Sequence, residues 1–283
     1  MTKLCPIGTK GYRKIIAIEP ASGSVPLRVL LLGGTSEASE IARRLADDDG
    51  LRVLSSLAGR VNQPRIPAGP VRIGGFGGVD GLTAFLKEGK IRAVIDATHP
   101  FASRISANAE TACKQLGVPL IAFARAPWAK HEADHWHAVP DTERAAAYIA
   151  KTASRVFLAI GRQQLDAFAS CNNAWFLIRA IDPPDVSLPA NTKLLLERGP
   201  FLLEDELGLL RDHAIDCVVS KNSGGPATYA KIEAARLLRI PVVMVDRPPR
   251  KHTVATVDSI NGVLSNLSRL QFQLGAIQEP CAP

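Results

Sequence analysis

Short hydrophobic runs alternate with amphipathic stretches along the first half of the chain. The runs are rich in leucine and β-branched residues, which favours strands, while the stretches between them have apolar residues at helical spacing. Strands are predicted at Arg28–Leu32, Val53–Leu57, Val71–Ile73, Ala93–Ala97 and Pro119–Phe123, and helices at Glu37–Ala46, Gly81–Glu88 and Phe101–Leu116. Strands that alternate with helices indicate βαβ units on a parallel sheet.

The pattern is less regular from Trp128 to Pro140 and then restarts. Strands are predicted at Val156–Ile160, Trp175–Ile181, Lys193–Leu196, Cys217–Ser220 and Val242–Val245, and helices near Gln163–Ala169, Leu203–His213, Ala227–Leu238 and Val257–Leu270. The fold class is therefore α/β with two parallel-sheet domains, which we place at residues 28–150 and 151–283. Residues 1–27 are predicted to be a poorly ordered extension.

Composition excludes several classes of protein. The chain has 283 residues, 46% of them hydrophobic, and no apolar stretch approaches the roughly 18 residues of a membrane helix. The net charge of +7 is modest and aromatic residues make up only 5%, which argues against a nucleic-acid partner and allows a basic site for a small anion. Five scattered cysteines without a Cys-x-x-Cys pair indicate reduced thiols and a cytoplasmic location.

The turn after the first strand is the strongest candidate for a nucleotide site. Parallel α/β sheets bind ligands beyond the carboxyl ends of their strands. Here the strand runs into Gly33, Gly34, Thr35, Ser36 and Glu37 and then directly into a helix. Glycines let the backbone approach a pyrophosphate, Ser36 can cap the helix, and the helix amino terminus offers free N–H groups. The alternative is a tight strand-to-helix turn without a ligand, since the third glycine of Gly-x-Gly-x-x-Gly is missing.

Two further loops of the first half lie where a dinucleotide would extend. Arg60 follows the second strand without an acidic residue nearby, which favours the 2′-phosphate of NADPH over the free hydroxyl of NADH. A solvated surface arginine is the alternative. Gly75, Phe76 and Gly77 belong to a Gly-Gly-Phe-Gly-Gly run that allows close approach to a flat ligand, and that also describes a mobile loop.

Polar residues follow the next strand of the first half and the equivalent strands of the second. Thr98, His99 and Pro100 precede a long helix that Pro100 is expected to start, and His99 could bind a carboxylate or deliver a proton, or merely cap or pack. In the second half, anion-binding turns are predicted at Ile160-Gly161-Arg162, Arg198-Gly199-Pro200 and Lys221-Asn222-Ser223-Gly224-Gly225.

Together these motifs resemble the precorrin-6A reductase family of cobalamin biosynthesis. The resemblance extends from about Arg28 to about Leu270 and rests on Gly33-Gly34-Thr35 with Glu37, the Gly-Gly-Phe-Gly-Gly run, Thr98-His99-Pro100-Phe101-Ala102 and Lys221-Asn222-Ser223-Gly224-Gly225. It implies an oxidoreductase that uses NADPH, without metal or flavin, to reduce one double bond of the tetrapyrrole precorrin-6A and give precorrin-6B. It also implies two Rossmann-like domains with the active site in the cleft between them.

From the residues and the resemblance together we assign candidate roles. The cofactor-binding residues would be Gly33, Gly34, Thr35, Ser36, Glu37, Arg60, Gly75, Phe76, Gly77 and Thr98. The substrate-binding residues would be His99, Pro100, Phe101, Arg104, Gly161, Arg162, Lys221, Asn222, Ser223 and Gly224. We expect direct hydride transfer to the macrocycle, with His99 or Lys221, or solvent, as the proton donor. Enzymes of neighbouring pathway steps are further candidate partners.

Two other features and two other functions are weighed against this interpretation. His131, Asp134, His135 and His137 have spacings that could hold a metal, but the stretch is typical of an irregular linker or surface strand, and no metal is expected. The basic run at 247–252 is typical of a solvated loop, although it could reach substrate carboxylates. The alternative functions are an NAD(P)H reductase of another anionic conjugated substrate and a dinucleotide-sensing protein without turnover.

Overall fold

The computed structural model describes residues 26–249 and 255–276. The described strands are β1 (Leu27–Leu32), β2 (Leu51–Leu57), β3 (Val71–Ile73), β4 (Ala93–Asp96), β5 (Leu120–Phe123), β6 (Trp136–Val139), β7 (Arg155–Ala159), β8 (Trp175–Ala180), β9 (Thr192–Leu196), β10 (Cys217–Lys221), β11 (Val242–Val245) and β12 (Ala255–Val257). The described helices are α1 (Ser36–Leu45), α2 (Val79–Glu88), α3 (Ser103–Leu116), α4 (Thr142–Thr152), α5 (Leu203–Asp212), α6 (Ala230–Leu237) and α7 (Ile260–Ala276). No helix of these residues is long and apolar enough to cross a membrane.

The first sheet has six parallel strands in the order β12-β5-β4-β1-β2-β3. Strand β1 is central, and the chain moves outward from it first through β2 and β3 and then through β4 and β5. The loops after β1 and β4 therefore leave the sheet in opposite directions, and a crevice opens between them at the carboxyl edge. This is the switch point at which doubly wound sheets bind their ligands.

Strand β1 explains how the first sheet is buried. Its sequence is continuously apolar and buried from Val29 to Leu32, as expected for a parallel strand covered on both faces. Val29 and Leu31 pack in a core cluster with residues of α1 and α7, while Leu30 and Leu32 pack on the opposite face with residues of α2 and α3. The alternation follows from the two-residue period of a strand. The rigid strand fixes the position of the turn that follows it.

The second sheet also has six parallel strands, in the order β6-β11-β10-β7-β8-β9. Here β7 occupies the position that β1 has in the first sheet, with β8 and β9 on one side and β10 and β11 on the other. Its switch point lies between the loops after β7 and β10. The predicted fold class, α/β with two parallel sheets, is confirmed.

The chain divides into two compact units that do not match the predicted division at residue 150. The first unit comprises the described residues 26–123 and 255–276, and the second comprises 124–249. One edge strand of each sheet explains why the observed boundaries differ from the predicted one. Strand β6 precedes the rest of its unit and pairs with β11, and β12 follows the second unit and pairs with β5 of the first. Residues 1–25, which include most of the predicted extension, lie outside the described residues.

Several predicted elements differ in their bounds. The stretch after Trp128 contains β6, and the unpredicted helix α4 begins after Asp141, whose carboxylate caps it by accepting from the Arg144 N–H at 2.7 Å. The helix predicted at Gln163–Ala169 is instead two short 3₁₀ turns. The last helix begins at Ile260 because Val257 ends β12.

Candidate functional site

The turn after β1 has the geometry of a phosphate-binding loop. Gly34 has a φ of 110°, which favours glycine, and a Cβ built there would meet nothing within 4 Å among the described residues. Thr35, and not Ser36 as predicted, is the N-cap of α1: its side-chain oxygen accepts from the Ala38 N–H at 3.1 Å. The Ser36 hydroxyl donates to Glu37 instead, at 3.0 Å. The first turn of α1 directs its backbone N–H groups toward this open space.

A hydrogen bond connects the turn after β4 to the turn after β1. The Thr35 hydroxyl donates to the carbonyl oxygen of Ala97 at 2.8 Å. Behind it the buried carboxylate of Asp96 accepts from both the backbone N–H and the hydroxyl of Thr98, at 3.1 and 2.6 Å. The Thr98 hydroxyl is thus held by Asp96, so Thr98 shapes the crevice through its backbone. The sequence prediction assigned no role to Asp96.

His99 occupies a tight turn before α3. Its Nδ1 accepts from the Phe101 N–H at 3.3 Å, and its carbonyl accepts from the Ala102 N–H at 2.7 Å. A neutral His99 therefore carries its proton on Nε2. Pro100 does not start the helix as predicted, because the turn delays α3 to Ser103. Arg104 lies exposed in the first turn of α3.

The glycine run after β3 is held by Arg72, which the sequence prediction missed. The Arg72 guanidinium donates to the carbonyls of Gly74 and Gly75 at 2.9 and 3.0 Å and to the Ser56 hydroxyl at 3.0 Å. It also lies 3.9 Å over the ring of Phe76, which contacts Phe85 edge-on. The Phe76 ring is therefore packed inward, and Gly75 and Gly77 remain the residues that can approach a flat ligand.

The loop after β2 places Arg60 beside this glycine run. Arg60 is exposed, and a Cβ on its neighbour Gly59 would lie 3.5 Å from the Gly74 nitrogen. Strand β2 ends in Ser55, Ser56 and Leu57, so the position where a dinucleotide fold carries an acidic residue for the ribose is not acidic. The local charge is suited to a phosphate.

The equivalent turns of the second unit carry Gly161, Arg162 and Lys221. Gly161 follows β7 with a φ of 78°, and Arg162 donates to the carbonyl of Pro183 in the loop after β8 at 3.1 Å. Lys221 ends β10 and is half-buried. Burial lowers the pKa of Lys221 from 10.5 to about 8, which makes its ammonium group a better proton donor near neutral pH.

The turn from Asn222 to Gly225 is held to the segment at 125–128. The Asn222 side chain pairs with the backbone of Trp128, accepting from its N–H at 2.8 Å, and the Trp128 indole donates to the Gly225 carbonyl at 2.8 Å. Ser223 is buried and its carbonyl accepts from the side chain of Arg125 at 2.7 Å. The side chain of Asn222 and the backbone carbonyl of Ser223 thus make structural contacts.

A buried charged cluster lies near Trp128, whose indole contacts this turn. Arg179 on β8 pairs with Glu206 of α5, which has no exposed surface, and with Glu197 after β9 at 3.1 Å. Lys231 of α6 donates to the Thr228 carbonyl at 2.6 Å, and its Nζ lies 5.0 Å from the ring of Trp128. Burial lowers the pKa of Lys231 to about 7, while the Glu206 carboxylate acts in the opposite direction.

The histidine-rich stretch is occupied with structural contacts. Asp134 is buried and accepts from Arg236 at 2.7 Å, and the His137 ring stacks on Tyr148 at 3.9 Å. Within residues 26–249 and 255–276, no group of three or more metal-binding side chains is found.

Three of the five cysteines are described, and Cys113, Cys171 and Cys217 are buried free thiols. Burial raises the pKa of Cys113 and of Cys217 to about 12, so both thiols are inert.

The predicted residues thus gather at two carboxyl edges. The predicted cofactor-binding residues lie on loops after β1 to β4 of the first sheet, and His99 lies among them. The remaining substrate candidates, apart from Pro100, Phe101 and Arg104, follow β7 and β10 of the second sheet. The first edge fits a dinucleotide, because Gly34 opens a space that a Cβ would enter and the first turn of α1 faces it.

The family model of the precorrin-6x reductases CbiJ and CobK matches residues 28–267. The chain belongs to this family. It is 50% identical over 238 residues to the precorrin-6A reductase of Rhodococcus erythropolis, an alignment that covers 84% of this chain and 96% of the relative. A solved structure titled CobK precorrin-6A reductase superposes with a TM-score of 0.80 at 43% identity, covering 86% of this chain and 97% of that one. The cobalt-precorrin-6A reductase of Priestia megaterium is 27% identical and covers 85% of this chain and 99% of the relative.

These similarities confirm the resemblance that the motifs gave. The matched range begins at the first residues of β1 and ends within α7, so it includes both sheets. The chain is thus an oxidoreductase of the precorrin-6x reductase type, which acts in cobalamin biosynthesis. The residues that the sequence prediction missed are Arg72, Asp96 and Arg125, whose side chains hold loops. A basic residue two positions before a glycine run is the one signal that could have indicated Arg72.

Proposed function

We propose that this chain uses NADPH to reduce one double bond of precorrin-6A, giving precorrin-6B. The observation that carries the proposal is the Gly33–Ser36 turn at the switch point of the first sheet, in a chain of a reductase family. NADPH supplies a hydride, and a proton from the protein or solvent completes the addition across the double bond. The hydride and the proton together account for the two hydrogens added to the double bond, so the reduction requires no metal or flavin.

The preference for NADPH is supported by the charge around the loop after β2. Arg60 stands there beside the glycine run that Arg72 holds, and β2 ends in Ser55, Ser56 and Leu57, without an acidic residue. An acidic residue at this edge would repel a 2′-phosphate, whereas a guanidinium can bind it with about 1.5–3 kcal/mol per charge-assisted hydrogen bond. In the proposal, Gly33 to Glu37 bind the pyrophosphate and Arg60 binds the 2′-phosphate.

Lys221 is the stronger of the two proposed proton donors. It ends β10 at the carboxyl edge, and burial lowers its pKa to about 8, close to the working pH. His99 holds the turn before α3 through Nδ1, so only Nε2 can donate from the neutral ring. His99 would then contribute mainly by orienting a substrate carboxylate, together with the backbone of Pro100 and Phe101 and with Arg104. In the second unit, Gly161 and Arg162 are proposed as further substrate-binding residues.

The cobalt-free macrocycle is the substrate that the sequence relationships favour. The relatives named precorrin-6A reductase include one at 50% identity, whereas the relative from Priestia megaterium named for the cobalt-bearing substrate is at 27%. A cytoplasmic location and contact with enzymes of neighbouring steps also belong to this proposal. The free thiols of Cys113, Cys171 and Cys217 support the location.

The experiment is a mixing measurement with purified protein, NADPH and precorrin-6A without oxygen. We expect the reduced nicotinamide band and the precorrin-6A absorbance to fall together in equal amounts, with NADH much less effective. Small ketones in place of precorrin-6A serve as the control and should consume no NADPH. Binding of NADPH without oxidation would favour the sensing protein, and oxidation by another conjugated anion alone would favour a different reductase.

A further inference from the structure

The Arg247 side chain hydrogen-bonds to the turn at Asn222–Gly225 and to a second segment of the chain. Its Nε donates to the Asn222 carbonyl at 2.7 Å, and its Nη2 donates to the Ser223 carbonyl at 2.9 Å. The same guanidinium donates to the carbonyls of Arg125 and Ala126 at 2.6 and 3.1 Å. One planar side chain therefore connects the turn after β10 to the segment that follows β5. The sequence alone indicated a solvated loop at this position.

A second arginine and a glycine complete the arrangement. Arg125 donates to the same Ser223 carbonyl as Arg247, at 2.7 Å, so two guanidinium groups converge on one oxygen. Gly224 packs so closely beneath them that a Cβ there would lie 2.1 Å from the Ala126 oxygen and 2.6 Å from Arg247. Its φ of 66° also favours glycine. A side chain at 224 would displace the Ala126 carbonyl, so the turn requires glycine at this position.

This arrangement determines which backbone groups the turn presents on its other side. In a trans peptide the C=O of one residue and the N–H of the next point in opposite directions. Because the Ser223 carbonyl is directed at the two guanidinium groups, the Gly224 N–H is directed away from them. A backbone donor in front of two fixed positive charges, next to Lys221, is suited to a carboxylate.

We propose that Arg247 is a positioning residue that, together with Arg125, shapes this turn to bind a carboxylate of the tetrapyrrole substrate. This inference rests on the proposed function, and it adds that Arg247 positions the backbone that binds one substrate carboxylate. Arg247 acts through the backbone of Ser223 and Gly224 and through its charge. Its loss therefore weakens binding of the anionic macrocycle and leaves binding of NADPH, which we assign to the first unit, unchanged.

The test compares Arg247→Gln, Arg247→Lys and the control Arg211→Gln. Arg211 is exposed in the last turn of α5, so its variant loses the same charge from the same unit without touching the turn. Binding of uroporphyrin, a tetrapyrrole polycarboxylate, is measured by fluorescence, and the KM for precorrin-6A and the Kd for NADPH are measured separately. Thermal unfolding of every variant is followed alongside.

We expect Arg247→Gln to weaken uroporphyrin binding and to raise the KM for precorrin-6A by about tenfold or more, the worth of a charge-assisted contact. The Kd for NADPH should stay within about twofold of wild type. Arg247→Lys should recover part of the loss, because lysine keeps the charge but not the planar fork. If Arg247→Gln does not fold, Arg247→Lys and Arg125→Gln must show the same substrate-specific weakening.

Variants at 247 and 125 that bind uroporphyrin and precorrin-6A as tightly as Arg211→Gln does would overturn the proposal. A loss of NADPH affinity as large as the loss of substrate affinity would also overturn it, since it would indicate a general structural role. These results are distinct from failure of the proposed function, which appears as wild-type protein that does not oxidise NADPH with precorrin-6A. Uroporphyrin binding tests the role of Arg247 whether or not the wild-type protein oxidises NADPH with precorrin-6A.

Discussion

The hydroxyl of Thr35 donates to the carbonyl oxygen of Ala97 at 2.8 Å and joins the two loops that border the crevice of the first sheet. The same oxygen accepts from the Ala38 N–H and caps α1. One side chain thus sets both the start of the helix and the distance between the turns after β1 and β4. Preorganised backbone donors at a helix amino terminus are the basis of phosphate binding in such folds.

Thr35→Val should therefore lower both stability and NADPH affinity. The variant keeps the shape of the side chain but removes the cap and the link to Ala97, which we expect to cost about 1–2 kcal/mol of unfolding free energy. Urea unfolding and NADPH titration measure the two effects. Thr111→Val is the matched control, since the Thr111 hydroxyl donates to Ala107 within α3 at 2.9 Å, away from the crevice. Unchanged NADPH affinity in Thr35→Val would remove this turn from the cofactor site.

Arg60→Ala should separate the two nicotinamide cofactors. Loss of a contact to the 2′-phosphate is expected to raise the KM for NADPH by about tenfold or more, with little effect on NADH. Steady-state kinetics with each cofactor check the prediction. Arg92→Ala, which removes an exposed arginine before the amino end of β4, should affect neither. Equal effects of Arg60→Ala on both cofactors would contradict the assignment.

Two helical glycines should respond to alanine in opposite directions. A Cβ at Gly81, in the first turn of α2, would lie 1.8 Å from the Phe76 carbonyl oxygen, so Gly81→Ala must displace the glycine run and should cost more than about 2 kcal/mol. A Cβ at Gly208 of α5 would meet nothing within 4 Å, and Gly208→Ala should stabilise by about 0.4–1 kcal/mol. Thermal unfolding of both variants tests the packing. A stable Gly81→Ala protein would show that the glycine run does not need this approach.

The pH dependence of turnover should report Lys221. Its pKa is lowered by burial from 10.5 to about 8, so the ammonium form that donates a proton is present below pH 8 and is lost above it. We expect kcat to fall as pH rises through about 8, and Lys221→Met to lower kcat by about 100-fold or more and abolish that limb. His99→Gln should keep the limb. Wild-type kcat and an unchanged profile in Lys221→Met would assign the proton to another donor.

The lowered pKa of Lys221 also determines how its contribution to the free energy of unfolding changes with pH. Between pH 8 and 10.5 the unfolded chain binds the Lys221 proton and the folded chain does not. The contribution of Lys221 to the free energy of unfolding therefore rises with pH across this window, and the cost of the buried charge is greatest below it. Lys221→Met should be most stabilising relative to wild type below pH 8, which denaturant unfolding at a series of pH values measures.

Much of the fold was predictable because burial on both faces leaves a clear pattern. Continuous apolar runs such as Val29–Leu32 in β1 and Ala93–Ile95 in β4, each followed by a turn and an amphipathic helix, indicate a parallel sheet from sequence alone. The stretch that contains β6 was left open between an irregular linker and a surface strand, because β6 is an edge strand with exposed His137 and Ala138. Strand β12 was missed because it is short and mostly exposed. The domain boundary failed for the same reason, since these edge strands decide which unit each segment joins.

The candidate site was predictable only as far as its backbone motifs. Glycine turns after strands are local signals, and they mark both carboxyl edges. The contacts that fix those turns are not local: Arg72 reaches Ser56, Thr35 reaches Ala97, and Arg247 reaches Arg125 across more than a hundred residues of sequence. Such contacts depend on strand order, which no spacing along the chain shows. The inward-packed ring of Phe76 is another result of packing that the sequence did not indicate.

Transfer of an isotope label shows whether this chain moves a hydride from NADPH to the precorrin-6A macrocycle. The protein and precorrin-6A are incubated in ordinary water with NADPH that carries deuterium on the reacting face of the nicotinamide. The mass of the product is then measured by mass spectrometry. We expect a product that contains one deuterium more than the product obtained with unlabelled NADPH. A product without the label, or NADPH that is never oxidised while precorrin-6A persists, would contradict it.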